Sequence, residues 1–167
     1  MAINGMAIQP RLKIMLFLQY FIWGAWLVTL GSYMINTLGF RGADVGMVYS
    51  TKGIAALLMP GIVGIIADKW LPANRVYALC HLVCAAMLAW AASINQPGLM
   101  FWVMLGNAMA FMPTIALSNT ISYASLEKAG LDTVSHFPPI RVFGTIGFIA
   151  AMWTVSLMRF ELSNLQL

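Results

Sequence analysis

Apolar residues fill long unbroken stretches of this chain instead of alternating with polar ones. Five stretches, at residues 12–36, 45–67, 76–94, 99–123 and 140–158, come close to or exceed the roughly 20 residues that an α-helix needs to cross a bilayer core. Polar residues gather in the short connections between them. The connection 124–136 is longer and holds Glu127, Lys128 and Asp132. The pattern predicts an all-α membrane protein with five transmembrane helices. The tail 159–167, polar and then apolar, is expected to open a sixth.

Composition narrows the class. Only 8% of the 167 residues are charged and 61% are hydrophobic, against about 25% charged residues in soluble domains. That deficit excludes a soluble fold and makes the lipid bilayer the expected surroundings. The net charge of +4 is scattered, with no basic patch, so nucleic acid is not an expected partner. Cys80 and Cys84 lie i, i+4 within one apolar stretch, where side chains run parallel, and are expected as packed free thiols. No metal-ligand spacing occurs. The N-terminal stretch has no small-residue cleavage site and is longer than a signal-peptide core, so the first helix is expected to be retained.

Charge also orients the helices. Arg11, Lys13, Lys69, Arg75 and Lys128 all fall on one side of the predicted spans, and Arg41 and Arg159 on the other. Positive residues favour the cytoplasmic side, which predicts a cytoplasmic N-terminus in a multi-pass plasma-membrane protein.

Polar and aromatic residues inside the spans are the candidate chemistry. In the fifth stretch, 137–148 reads FPPIRVFGTIGF. If that helix starts at the prolines, Arg141, Thr145 and Phe148 fall at i, i+4 and i+7 and share a face. A cation, a hydroxyl and an aromatic ring in line suit a pocket for a polar, ring-containing solute. Counted from Pro138, however, Arg141 is only about 5 Å into the helix, close enough to the rim for its side chain to snorkel or serve a gate.

The first stretch places Gln19, Trp23 and Trp26 at i, i+4, i+7 with Tyr20 beside them, facing a solute or simply packing. The fourth carries a line of Asn107, Phe111, Thr114, Ser118 and Ser122, with Asn119 adjacent: either a cavity wall or glue between helices. Lys52 sits inside the second stretch, where it can snorkel or bind a carbonyl. Glycines 24 and 31 in the first stretch, and 53, 61 and 64 in the second, are expected to let neighbouring helices approach closely. His81, one turn into the third, is read as a packing residue before a proton carrier.

The turn 64–75, GIIADKWLPANR, resembles the signature loop between the second and third helices of the major facilitator superfamily, although it lacks the glycine and extra arginines that usually follow the basic residue. The resemblance implies that Gly64, Asp68, Lys69 and Arg75 help to lock the cytoplasmic side. FPPIRVFGTIGF, with FLQYFIWGAWLVTLGSYM in the first helix and AFMPTIALSNTISY in the fourth, is more specific. Together these motifs resemble the bacterial nucleoside:proton symporters of that superfamily, over essentially the whole chain.

What the resemblance implies is a twelve-helix fold of two six-helix halves, of which residues 1–167 are an incomplete N-terminal bundle and the C-terminal half is absent. It further implies inner-membrane import of nucleosides, xanthosine and related purine nucleosides among them, by proton symport with alternating access. Arg141, Thr145 and Phe148 map onto the family's nucleoside contacts; Gln19, Trp23, Trp26, Asn107, Thr114, Ser118 and Asn119 are possible cavity-lining residues.

No cofactor is expected, only the proton as coupling ion, and no catalytic residue, since no nucleophile–base set is present. The acidic residues Asp44, Asp68, Glu127, Asp132 and Glu161 all lie at span ends or in loops. The proton carrier is therefore expected outside this chain, which is expected to be a fragment or a natural truncation. A sugar or drug carrier of the same superfamily, or a non-transporting membrane scaffold, are the alternatives.

Overall fold

The computed structural model describes residues 5–167, which are helical throughout apart from short turns. The α-helices are α1 (Gly5–Leu27), α2 (Leu30–Asn36), α3 (Gly42–Lys69), α4 (Ala73–Ala91), α5 (Pro97–Lys128) and α6 (Thr133–Leu157). Five segments are long and apolar enough to cross a membrane: Ile8–Asn36, Gly42–Ala67, Ala73–Ala91, Pro97–Lys128 and Thr133–Leu157.

α5 is the most enclosed of these, half buried within the bundle. It packs along both α3 and α4, while α1 packs chiefly along α6. The α1–α6 contact is closer than ordinary side chains permit. A Cβ on Gly24 would stand 2.7 Å from the Phe148 carbonyl oxygen, and one on Gly147 would collide with the carbonyl of Phe17. The two backbones meet directly at these glycines, which is how helices associate where no hydrophobic force drives them together. By contrast, Gly53, Gly61 and Gly64 of α3 face open space among the described residues. Among the described residues no helix approaches closely at those three.

The first span is not one helix. It breaks at Val28 and Thr29, because a side chain is inserted into its hydrogen-bond ladder. The Tyr49 hydroxyl, from α3, donates to the Leu27 carbonyl at 2.8 Å and accepts the Gly31 N–H at 2.9 Å. Those are the two groups that would have bonded each other in an unbroken helix. Thr29 then donates to the side chain of Gln166 at 2.6 Å. Removing the Tyr49 hydroxyl should leave the partly buried Leu27 carbonyl and Gly31 N–H without that partner. Tyr49→Phe is therefore expected to cost about 1–3 kcal/mol, seen as a lower melting temperature in detergent and faster deuterium exchange at the Gly31 amide.

Helix boundaries differ from the sequence expectation most at α5 and α6. α5 continues to Lys128 and stops at Gly130, which adopts a φ of +70°. α6 begins at Thr133 rather than at the prolines, because Asp132 caps it by accepting the N–H groups of Val134 and Ser135 at 3.3 and 3.0 Å. The Ser135 hydroxyl and these backbone N–H groups hold the Asp132 carboxyl below the usual carboxylate range. Pro138 and Pro139 thus lie within the helix. Arg141 is eight residues past Thr133, about 12 Å along the helix axis, deeper into the helix than a count from Pro138 gives.

After α6 the chain turns at Arg159, in the left-handed region with φ 56°. A 3-10 turn, Asn164–Gln166, follows. The Thr37 hydroxyl and the Asn164 amide tie this segment to Leu162 and Ala92 carbonyls at 2.6 and 3.0 Å.

Candidate solute-binding site

Polar and aromatic side chains from α1, α4, α5 and α6 converge beneath Trp23. This residue is the hub. Its ring lies 6.0 Å from Tyr20, 5.5 Å from Phe111 and 6.0 Å from Phe148, the last edge-on. It therefore joins α1, α5 and α6 through three aromatic contacts. The indole N–H of Trp23 has no hydrogen-bond partner among the described residues, an unusual condition for a buried indole.

On one side of this hub is Arg141. Its Nη2 donates to the Tyr20 hydroxyl at 2.7 Å, and the guanidinium lies 4.4 Å from the centre of the Tyr20 ring. With Phe137, Pro138, Val142 and Thr145, Arg141 lines an open cleft of about 420 Å³. The cleft brings two of the predicted solute contacts, Arg141 and Thr145, to one wall. Phe148 is not on that wall; it is turned toward Trp23 and seated against Gly24. Thr145 is exposed, so its hydroxyl is open to a solute.

On the other side is a closed polar network. Gln19 is 1% exposed and both ends of its amide are engaged. Its Nε2 donates to Thr114 Oγ1 at 2.7 Å, and its Oε1 accepts from the Tyr77 hydroxyl at 2.8 Å. Thr114 in turn donates to the Phe111 carbonyl at 2.6 Å. This links α1, α4 and α5. With its hydroxyl proton given to Phe111, Thr114 can only accept from Gln19, which sets the amide nitrogen toward Thr114 and the oxygen toward Tyr77.

The rest of the α5 line is also occupied within the bundle. Ser118 and Ser122 donate to carbonyls of their own helix at 2.8 and 2.7 Å. The Asn107 side-chain amide donates to the Cys84 carbonyl at 3.4 Å, and its Oδ1 has no partner among the described residues. The side-chain oxygen of Asn119 is likewise unpartnered, and the residue is half-buried. Of the α5 residues predicted to line a cavity, Asn107 and Asn119 each keep a buried side-chain oxygen without a partner among the described residues.

Trp26 belongs to a different cluster, packed with Leu30 and Val48. The Lys52 ammonium covers it at 5.6 Å and covers the Tyr49 ring at 3.7 Å. Lys52 thus neither snorkels freely nor binds a carbonyl; two aromatic faces hold it. The thiol of Cys84 reaches the Asn107 carbonyl at 3.7 Å, and both cysteines are free. His81 stacks on Tyr77 at 4.4 Å and hydrogen-bonds that residue's carbonyl through Nδ1 at 2.9 Å, a packing role as expected.

The residues assigned to a cytoplasmic gate lie at the α3–α4 turn. Gly64 is in α3, Lys69 ends it, and Arg75 opens the first turn of α4; Lys69 and Arg75 are exposed. The Asp68 side chain lies outside the described residues. Tyr77 was not singled out from sequence, although a tyrosine in an apolar span carries its own signal: a buried hydroxyl must find a partner. Tyr20 was noted only as flanking, since nothing local reveals a contact with a residue 121 positions away.

Comparisons with known proteins place this architecture. A profile of the family described as nucleoside H+ symporter matches residues 6–167. The chain is 74% identical over 162 residues to the xanthosine permease of Escherichia coli (strain K12), and 57% identical over 162 residues to the nucleoside permease NupG of the same organism. Each match covers 97% of this chain and 39% of the relative, so the chain spans well under half the length of these proteins. The crystal structure of the nucleoside transporter NupG superposes with a TM-score of 0.92 at 57% identity, covering 95% of this chain and 39% of that one.

Proposed function

Because the chain belongs to the nucleoside H+ symporter family, we propose that it supplies the N-terminal portion of the solute path in a carrier that imports nucleosides, xanthosine and related purine nucleosides among them. Transport is coupled to protons, across the bacterial inner membrane, by alternating access between halves. The observation that carries this reading is the cleft at Arg141 and Thr145, beside the Tyr20–Trp23–Phe148 aromatic cluster.

Guanidinium and hydroxyl donors suit the acceptor-rich groups of a nucleoside, the base carbonyls and ribose oxygens. The aromatic rings suit the base plane. The closed Gln19–Thr114–Tyr77 network braces α1, α4 and α5 behind that wall. The one-sided distribution of Arg11, Lys13, Lys69, Arg75 and Lys128 supports a cytoplasmic N-terminus, with the α3–α4 turn, Gly64, Asp68, Lys69 and Arg75, as part of a cytoplasmic gate. The proton-carrying group is assigned to the length of the relatives that this chain does not span, because its own carboxylates sit at helix ends or in connections.

The test is uptake of labelled xanthosine by cells carrying this chain joined to the remaining length of the Escherichia coli xanthosine permease. Accumulation is expected, abolished by a protonophore and competed by unlabelled guanosine and inosine. Uptake that ignores the proton gradient would refute the coupling. Failure of those nucleosides to compete would refute the substrate class.

A further inference from the structure

On the reading that Arg141 touches the solute, we propose that Tyr20 is a positioning residue that fixes the Arg141 guanidinium at the cleft. Two contacts hold the pair: the 2.7 Å hydrogen bond from Nη2 to the phenol oxygen, and the guanidinium carbon 4.4 Å from the ring centre. The space for them is built into α6. A Cβ at Gly144 would lie 2.7 Å from Tyr20 Cδ2 and 2.7 Å from Arg141 Nη1, so the absence of a side chain there admits both groups.

Tyr20 is itself immobile. It is 7% exposed and clustered with Leu12, Leu16 and Ile140, with Trp23 beside its ring. Arg141 has no such anchor of its own. The ion pair found among the described residues is Arg41–Asp44, at the far end of the spans, so no carboxylate there orients Arg141. A long cationic side chain without an anion loses rotamer freedom when a solute immobilises it, and holding it beforehand removes that loss from the binding step. The geometry also leaves donors over. The Tyr20 phenol oxygen takes up one Nη2 N–H of Arg141, so the other guanidinium N–H groups remain for acceptors on the solute.

Steady-state uptake of labelled xanthosine, in the chain joined to the remaining length of the xanthosine permease, separates positioning from structure. Tyr20→Phe keeps the ring and removes the hydrogen-bond acceptor. KM is expected to rise about tenfold, the size of one lost hydrogen bond to a charged group, with maximal rate and melting temperature near the parent's. A merely structural tyrosine would instead lower the melting temperature and the amount of protein and leave KM alone, which would overturn the proposal.

The double variant Tyr20→Phe, Arg141→Ala decides the route. If Tyr20 acts through Arg141, KM in the double variant equals that of Arg141→Ala alone. If the two increases multiply, Tyr20 acts independently and the proposal is overturned. Arg141→Ala with an unchanged KM would instead remove the site assignment on which the inference stands. A large effect of Arg141→Ala with none from Tyr20→Phe would overturn the positioning role only.

Discussion

Leucine in place of Gly147 is expected to prevent the folded bundle from accumulating. The α6 backbone at this position lies against the Phe17 carbonyl, so closely that even a Cβ has no room. The obstructing atoms are backbone, not the end of a flexible side chain, so relief requires α1 and α6 to separate. That separation would also pull apart the contact of Gly24 with Phe148 and of Gly144 with Tyr20, which lie along the same seam. In a bilayer the loss is not offset by hydrophobic collapse elsewhere, because lipid tails are as apolar as the side chains they replace. Overpacking of this kind costs about 3 kcal/mol or more, a large part of a marginal stability. Leucine at Gly53, where a Cβ would meet nothing within 4 Å among the described residues, is the matched control and should leave the folding of this chain unaffected. Size-exclusion profiles and thermal melting of both variants in detergent decide the matter; a Gly147→Leu protein that elutes and melts like the parent would refute the seam as a rigid contact.

The five spans were legible because crossing a bilayer demands a run of apolar residues of a set length, and that demand acts on each segment separately. Helix ends were less legible. Residues 124–128, ASLEK, mix polar and apolar residues that are all compatible with helix, and α5 simply continues through them. At α6 the prolines drew the predicted start forward, whereas the cap that sets it is Asp132. The break between α1 and α2 was invisible because its cause, the Tyr49 hydroxyl, comes from another helix.

Glycines show the same limit. Gly24 and Gly147 sit in a helix seam while Gly53 and Gly61 meet no neighbour among the described residues, yet composition alone treats all four alike. In the candidate site, residue types announced that buried polar groups need partners, but not which ones. Gln19 and Thr114 turned out to satisfy each other, and Arg141 found Tyr20. Such pairings are properties of the packed bundle, and a polar line along one helix has the same appearance whether it faces a cavity or a neighbour.

Alanine in place of Arg141 is expected to raise the KM for nucleoside uptake about a hundredfold. The change removes a cation and its fork of donors from the cleft wall and leaves the Tyr20 hydroxyl without the group that occupies it. Two hydrogen bonds from a charged donor at about 1.5 kcal/mol each amount to roughly two powers of ten in affinity. Lysine should recover only part of this, because an ammonium delivers charge without the planar fork and cannot lie along the Tyr20 ring in the same way. The fold should survive alanine: Arg141 is only partly enclosed, and the α1–α6 seam depends on Gly24, Gly144 and Gly147 rather than on the guanidinium. Concentration-dependent uptake together with the melting temperature of the purified protein separates the possibilities. A raised KM with an intact melting temperature marks a solute contact. A normal KM refutes the assignment, and a collapse in both amount and melting temperature would make Arg141 a structural strut between α1 and α6.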